Sequence, residues 1–260
     1  MLNRIAAAKQ EDMKLYGHAI MDNFAHCSTL PVIRNFVEMF VPDYPVKLIA
    51  EVKKASPSKG LLLADFNPVK LAVTYQENGA GAVSVITEER FFLGHPSFIA
   101  QIKANIQIPI LRKDFIIDER QLYETRMLGA DAVLLIARLL PDKLLSLIEL
   151  AQELGLEPLV EVHNQEEIER ALDTPARLIG INNRNLQDFS VDITTCLDLV
   201  SMVPDHIYCV AESGIFSAAD ILVLKRHGFR GALVGEALVT AADIGAKTKE
   251  LAQYQDYYNG

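Results

Sequence analysis

Three lysines and two serines gather in Glu51-Val-Lys53-Lys-Ala-Ser56-Pro-Ser-Lys59-Gly60, directly after an apolar run containing Val46, Leu48, Ile49 and Val52. Ammonium groups and hydroxyls beside a carboxylate suit a small anion that carries both carboxylate and phosphate. A second cationic cluster follows in Ile110-Leu-Arg112-Lys113-Asp114-Phe115, again at the end of an apolar run. Acidic counterparts stand in Leu159-Val-Glu161-Val-His163 and Val210-Ala-Glu212-Ser213-Gly214. Polar chemistry thus recurs where apolar runs stop.

Each residue also has a plainer reading. Lys53 could form a surface pair with Glu51, and Arg112 and Asp114 could surround Lys113 in a solvated ion-pair cluster of little energetic value. In a closed pocket a lysine can instead donate a proton to a carbonyl or a leaving hydroxyl, provided desolvation outweighs the pull of nearby carboxylates. Glu161 lies in an apolar context where an unpaired charge is costly. It is a structural partner for a lysine or an acid/base group opposite Lys113. Glu212 has similar surroundings. Gly214 and the pair Gly235-Glu236 are either ordinary turn residues or sites that expose backbone N–H groups to a phosphate. In Ile181-Asn182-Asn-Arg184-Asn-Leu, Arg184 can grip a planar carboxylate and Asn182 a hydroxyl or amine, with a solvated turn as the alternative. Phe91, Phe92 and Leu93 could wall an aromatic ring or belong to the core. His95, His163 and His206 have no metal-ligand spacing and are read as structural.

The elements that would position these groups show a repeat. Apolar runs at Lys47–Val52, Ala82–Thr87, Ile108–Arg112, Ala132–Ile136, Pro158–Val162, Leu178–Ile181, Ile207–Ala211 and Gly231–Val234 read as strands. Amphipathic stretches alternate with them at Pro68–Asn78, Pro96–Ala104, Glu119–Leu128, Pro141–Leu154, Gln165–Ala171, Ile193–Met202 and Ser217–Arg226. Several end near glycine, which suits a helix C-terminus. Eight strand-turn-helix units can close into a (β/α)8 barrel, with an open doubly wound sheet as the alternative. In a barrel, Lys53, Thr87, Lys113, Glu161, Asn182, Glu212 and Gly235 would all face one mouth. Before the repeat, Leu2, Ile5, Lys9 and Met13 share a helical face, and Ile33, Phe36, Val37 and Phe40 predict a second helix over 30–40.

The 260 residues are 50% hydrophobic, enough for one large core, and no linker divides the repeat. A formal charge of -9 argues against a nucleic-acid partner. No apolar stretch is long enough to span a membrane, and no secretory signal opens the chain, so a cytoplasmic location is expected. Cys27, Cys196 and Cys209 are too few and too scattered for a zinc site or a disulfide framework. No glycine-rich nucleotide fingerprint follows a strand. Oligomeric state, monomer or weak homo-oligomer, is not legible in the sequence.

Taken together, Glu51-Val-Lys53-Lys-Ala-Ser56-Pro-Ser-Lys-Gly, Thr87-Glu-Glu-Arg-Phe-Phe92-Leu-Gly, Pro109-Ile-Leu-Arg-Lys113-Asp-Phe, Val160-Glu161-Val-His, Gly180-Ile-Asn182-Asn-Arg184, Ala211-Glu212-Ser213-Gly214 and Val234-Gly235-Glu236-Ala resemble the indole-3-glycerol-phosphate synthase family of tryptophan biosynthesis. The resemblance covers nearly the whole chain. It implies a single (β/α)8 barrel over residues 1–260, with 1–45 as a helical extension covering the active-site face. It also implies a carboxy-lyase that converts 1-(2-carboxyphenylamino)-1-deoxyribulose 5-phosphate to indole-3-glycerol phosphate, carbon dioxide and water, without cofactor or metal. By the same resemblance Lys113 is the general acid, Lys53 holds the substrate carboxylate with a part in dehydration, and Glu161 moves protons later. Glu51, Asn182 and Glu212 position these groups. Ser56 and Arg184 anchor substrate, Ser213, Gly214, Gly235 and Glu236 form the phosphate site, and Phe92 lines the aromatic pocket. Phosphoribosylanthranilate isomerase and the tryptophan synthase alpha subunit lack the Glu-Val-Lys-Lys-Ala-Ser-Pro-Ser segment. A Schiff-base aldolase and a non-catalytic phosphate sensor remain chemical alternatives.

Overall fold

Strict alternation along short parallel strands organises the molecule. The computed structural model describes residues 1–41, 45–185 and 190–257. Its barrel strands are β1 (Lys47–Val52), β2 (Ala82–Ile86), β3 (Ile110–Lys113), β4 (Ala132–Ile136), β5 (Glu157–Val162), β6 (Leu178–Asn182), β7 (Tyr208–Glu212) and β8 (Gly231–Val234). Each pairs in parallel with its sequence neighbours, and β1 pairs with β8 to close the barrel. A small hairpin, Ala55–Ser56 against Gly60–Leu61, follows β1.

The helices are α1 (Leu2–Ala25), α2 (Pro68–Glu77), α3 (Ser97–Lys103), α4 (Arg120–Leu128), α5 (Leu144–Glu153), α6 (Gln165–Leu172), α7 (Thr194–Leu199), α8 (Ala218–Arg226), α9 (Glu236–Val239) and α10 (Ile244–Ala252). Local chemistry sets their ends. Asn67 and Asn164 accept N–H bonds at the starts of α2 and α6, Ser217 and Asp220 form a reciprocal capping box on α8, and Gly129 closes α4 at φ 89°.

Because successive side chains leave a strand on opposite faces, each strand serves two packing layers. Leu48, Ala50, Val83, Val85, Val160, Ile179 and Ile181 face outward into the buried layer shared with the helices. Ile49, Ala82, Leu111, Leu134, Leu159, Leu178, Val210 and Leu233 form a second buried cluster inside the barrel. Phe36 and Phe40 join this inner cluster, their rings 5.8 Å apart. Phe40 is so close to the barrel floor that a Cβ at Gly231 would lie 2.7 Å from its ring.

The predicted helix over 30–40 is not formed; only Val37–Phe40 makes a single 3-10 turn. Pro31 disfavours helical geometry in the residue before it. The Arg34 backbone N–H donates to Asp131 Oδ1, and its guanidinium donates to the carbonyls of Lys103, Ile106 and Ile108. These long-range bonds replace the local helix and swing Phe36 and Phe40 under the barrel. The apolar spacing was real, but it records packing against the floor.

Three strands also run one residue past the expected end, so Lys113, Asn182 and Glu212 are strand residues and not loop residues. Cys196 and Cys209 are buried free thiols and Cys27 is half-buried. Phe40→Ala is expected to lower unfolding stability by about 3–5 kcal/mol, the usual cost of emptying an aromatic core position. Urea denaturation checks this.

Candidate active site

At the C-terminal ends of the strands the inward positions become polar. Following Ile49, Leu111, Leu159 and Val210, the next inward residues are Glu51, Lys113, Glu161 and Glu212. The barrel register places Asn182 beside Glu212. All four charged groups face a cavity of about 680 Å³, together with Lys53, Ser56, Phe92, Asn182, Arg184, Ser213, Gly214, Gly235 and Glu236. Apart from Thr87, the residues predicted from the sequence to face the mouth are therefore brought together in one place.

Lys113 is the hub. Its Nζ lies 2.8 Å from Glu212 Oε2 and 3.4 Å from Glu161 Oε2. Lys53 Nζ pairs with Glu51 Oε1 at 2.7 Å. Burial alone would weaken the Lys113 ammonium, but Glu212, Glu161 and Glu51 together raise its pKa well above the usual lysine range. Desolvation therefore loses to the carboxylates, and Lys113 is firmly charged.

The two carboxylates on Lys113 differ. Burial opposes ionisation of both. For Glu161, Lys113 and His163, with a hydrogen bond from Asn182, reverse that effect and hold the carboxyl well below its usual range. For Glu212, burial prevails over Lys113 and is reinforced by the Glu161 charge, so its pKa is pushed up to about 7. Geometry gives the reason: Glu212 Oε1 is buried with no hydrogen-bond partner among the described residues. Gly180 makes room for that oxygen, since a Cβ there would collide with it. Glu51 is likewise opposed by burial, yet Lys53 and Lys113 keep its pKa lowered.

The loops on either side supply the remaining surfaces. Ser213 and Gly214 are both left-handed, at φ 64° and 74°, an unusual conformation for serine. Asn183 braces this turn: its Nδ2 donates to the Ser213 carbonyl and its Oδ1 accepts from Cys196 N–H. A substituent at Gly235 would collide with Glu51 Oε1, so glycine lets the β8 end approach the Glu51–Lys53 pair. Glu236 sits between cations, with Oε1 2.5 Å from Lys59 Nζ and Oε2 4.0 Å from Arg184 Nη2. Glu88 accepts the N–H groups of Arg90, Phe91 and Phe92, fixing the turn that sets Phe92 6.0 Å from the Phe115 ring.

Two expectations change. Thr87 does not reach the cavity: buried behind it, its hydroxyl donates to Asp114 Oδ2 at 2.6 Å and accepts from Arg112 Nε at 3.1 Å. Nor are Arg112 and Asp114 solvated, since both are 2% exposed. One step along β3 from Lys113, Arg112 points the opposite way, toward α4, where it meets Glu124, Thr125 and the Gln121 carbonyl. Asp114 also takes Lys9 of α1 at 2.7 Å, and Met1, Leu2 and Ile5 line the cavity. Lys9 appeared in the apolar stripe of α1, and a lysine at a core-facing position was the available signal. Glu88, Asn183 and Lys59 were also missed as site supports; only Lys59 stood inside a cationic motif. His163, set aside as structural, has Nε2 3.3 Å from Glu161 Oε1.

The fold and this lysine–carboxylate centre define a (β/α)8-barrel protein with a polar pocket at the C-terminal mouth. Structural likeness agrees: 3-hexulose-6-phosphate synthase superposes with a TM-score of 0.66 at 18% identity, over 80% of this chain and 99% of that one. Thiamine phosphate pyrophosphorylase from Pyrococcus furiosus gives 0.60 at 20% identity, over 83% and 98%. At such identities the likeness is one of fold.

Sequence resolves the family. The family model for indole-3-glycerol phosphate synthase matches residues 2–251. Indole-3-glycerol phosphate synthase of Desulforamulus reducens is 48% identical over 257 residues, 96% of each chain. That of Roseiflexus castenholzii is 45% identical, over 96% of this chain and 97% of its own length. The chain belongs to the indole-3-glycerol phosphate synthase family.

Replacing Lys113 by Met removes the charge that opposes burial of Glu161 and Glu212, so the Glu212 pKa rises further above the unfolded value of about 4.3 and the lowered Glu161 pKa moves upward toward and past it. Carboxyls with raised pKa values favour folding at low pH and lose that contribution as pH rises through the folded values. The Lys113→Met thermal midpoint should therefore fall more steeply than the parent's between about pH 5 and pH 8. Calorimetry across that range measures the slope.

Proposed function

We propose that the chain is an indole-3-glycerol-phosphate synthase, a carboxy-lyase of tryptophan biosynthesis that acts on 1-(2-carboxyphenylamino)-1-deoxyribulose 5-phosphate. The observation that carries this reading is the Lys113–Glu161–Glu212 cluster facing Lys53–Glu51 across a cavity walled by Phe92, in a chain of this family. The substrate is a phosphorylated small molecule with an aromatic carboxylate. The cavity offers ammonium and guanidinium groups, an aromatic wall and backbone N–H groups to match it.

The substrate phosphate occupies the turn formed by Ser213–Gly214 and Gly235–Glu236. The N-terminus of α8 is already satisfied by its own capping box, so the backbone at these two strand ends does the binding. Ser56 and Arg184 anchor the ribulose chain and carboxylate. Lys53 holds the aromatic carboxylate, and Phe92 aligns the ring so that its carboxylated carbon lies against the ribulose carbonyl.

Lys113 donates a hydrogen bond to that carbonyl oxygen as the ring carbon attacks, its charge stabilises the negative charge that develops there, and its proton passes across once the oxygen has become a strongly basic alkoxide. Loss of carbon dioxide returns the bonding pair to the ring and restores aromaticity. The new hydroxyl then leaves as water with a proton from an acid, while a base removes the neighbouring C–H proton. Glu161 and Lys53 serve this dehydration, and Glu51, Asn182 and Glu212 position them. Because a carboxylate leaves as neutral carbon dioxide, the whole conversion takes up one proton. A site whose Glu212 titrates near 7 can return it without leaving the neutral range.

Residues 1–260 act as one domain in this reading, with the start of 1–45 forming part of the cover over the mouth. The experiment follows indole fluorescence after the substrate is added to purified protein. Product should form in the parent, and Lys113→Ala and Glu161→Ala should each lose about 100-fold or more in kcat while remaining folded, as removal of a general acid or base does. A folded parent that makes no product overturns the assignment.

A further inference from the structure

Behind Glu161 lies a chain of charged groups that the proposed chemistry does not use. His163, two residues on, has Nε2 3.3 Å from Glu161 Oε1 and Nδ1 3.1 Å from Glu167 Oε2. The three side chains are at most 6% exposed. Glu167 is itself fixed from several sides: it accepts from the His163 backbone N–H at 2.8 Å, from Asn164 Nδ2 at 3.2 Å and from Arg138 Nε at 2.7 Å. Its backbone N–H in turn bonds Asn164 Oδ1, the cap of α6. The ring is thus gripped at Nδ1 by an anchored carboxylate and presents Nε2 to the oxygen of Glu161 that Lys113 does not contact.

We propose that His163 is a positioning residue for Glu161: anchored through Glu167 and Arg138, its imidazolium clamps one carboxylate oxygen and leaves the other aimed at Lys113. The inference rests on Glu161 taking part in the proposed reaction. A ring held only for packing needs no acid at each nitrogen. Here one nitrogen meets a cavity carboxylate and the other a helix-start carboxylate, which favours the doubly protonated ring. Burial opposes that charge, but Glu161 and Glu167 raise the ring pKa to about 9. The groups facing it are Glu161 on β5 and Glu167 on α6, with Arg138, Arg184 and Asp192 around an adjoining cavity of about 320 Å³ and Lys113 beyond Glu161. The charged ring stands 3.3 Å from the Glu161 oxygen that Lys113 does not contact, whereas Glu212 Oε1 is buried with no hydrogen-bond partner among the described residues, and this difference accounts for two carboxylates on the same lysine titrating in opposite directions.

The test has two arms. In the first, His163→Leu should lower kcat by about tenfold, the equivalent of one pKa unit, with KM within about twofold and the pH–rate profile displaced. His163→Gln, which keeps a donor toward Glu161, should recover most of kcat. A folded His163→Leu enzyme with unchanged kcat and pH profile overturns the proposal. In the second arm, nitrogen NMR of the parent should show both ring nitrogens of His163 protonated until pH nears 9, and Glu161→Gln should move that titration down. Titration of the parent ring in the ordinary range near 6.5 overturns the clamp. This arm needs no turnover, so a parent without synthase activity would defeat the functional reading while the clamp is still decided.

Discussion

Charge balance inside the barrel mouth is the constraint on which the rest depends. Glu51, Glu161 and Glu212 are all buried, and isolated carboxylates in such a place are costly. Lys53 pairs with Glu51 and Lys113 with both Glu161 and Glu212, and burial keeps Glu212 partly protonated near pH 7. The site is therefore close to neutral as a whole while each polar atom keeps a defined direction. Such an arrangement is preorganised for a reaction in which charge develops and disappears at one oxygen.

The same barrel separates function from support along its axis. At the mouth the strands end in charged residues and glycines. At the floor, Leu and Val positions meet Phe36 and Phe40. The N-terminal extension contributes to both ends: α1 brings Ile5 and Lys9 to the mouth, and the chain after it carries Arg34, Phe36 and Phe40 beneath. One continuous segment thus straps the barrel from top to bottom. The buried Lys9–Asp114–Arg112–Thr87 network couples that strap to β3, one residue from Lys113.

Strand alternation explains how neighbouring residues acquire opposite tasks. Arg112 and Lys113 are chemically alike and adjacent, yet one supports α4 from outside the barrel and the other faces the cavity. The distinction is a matter of which face of the pleat each occupies. It also explains why Thr87, although polar and close to a strand end, serves Asp114 and Arg112 and not the cavity.

Much was legible from local pattern. The eight apolar runs, the helices between them and their caps follow from side-chain periodicity and turn chemistry, which act over a few residues and are written directly in the chain. The resemblance likewise gathered Lys53, Lys113, Glu161 and the other cavity residues, because their motifs are contiguous. What only the tertiary structure decided involves partners far apart in sequence. Arg34 abandons a helical pattern because Asp131 and three distant carbonyls bind it better. The outcome of the contest between burial and carboxylates at Lys113 depends on Glu161 and Glu212 arriving within 3.4 Å. His163 acquires its place through Glu161 and a helix start that folds back beside it. Periodicity is local and survives in the sequence, whereas electrostatic energy depends on distance and solvent exclusion, which exist only once the barrel has closed.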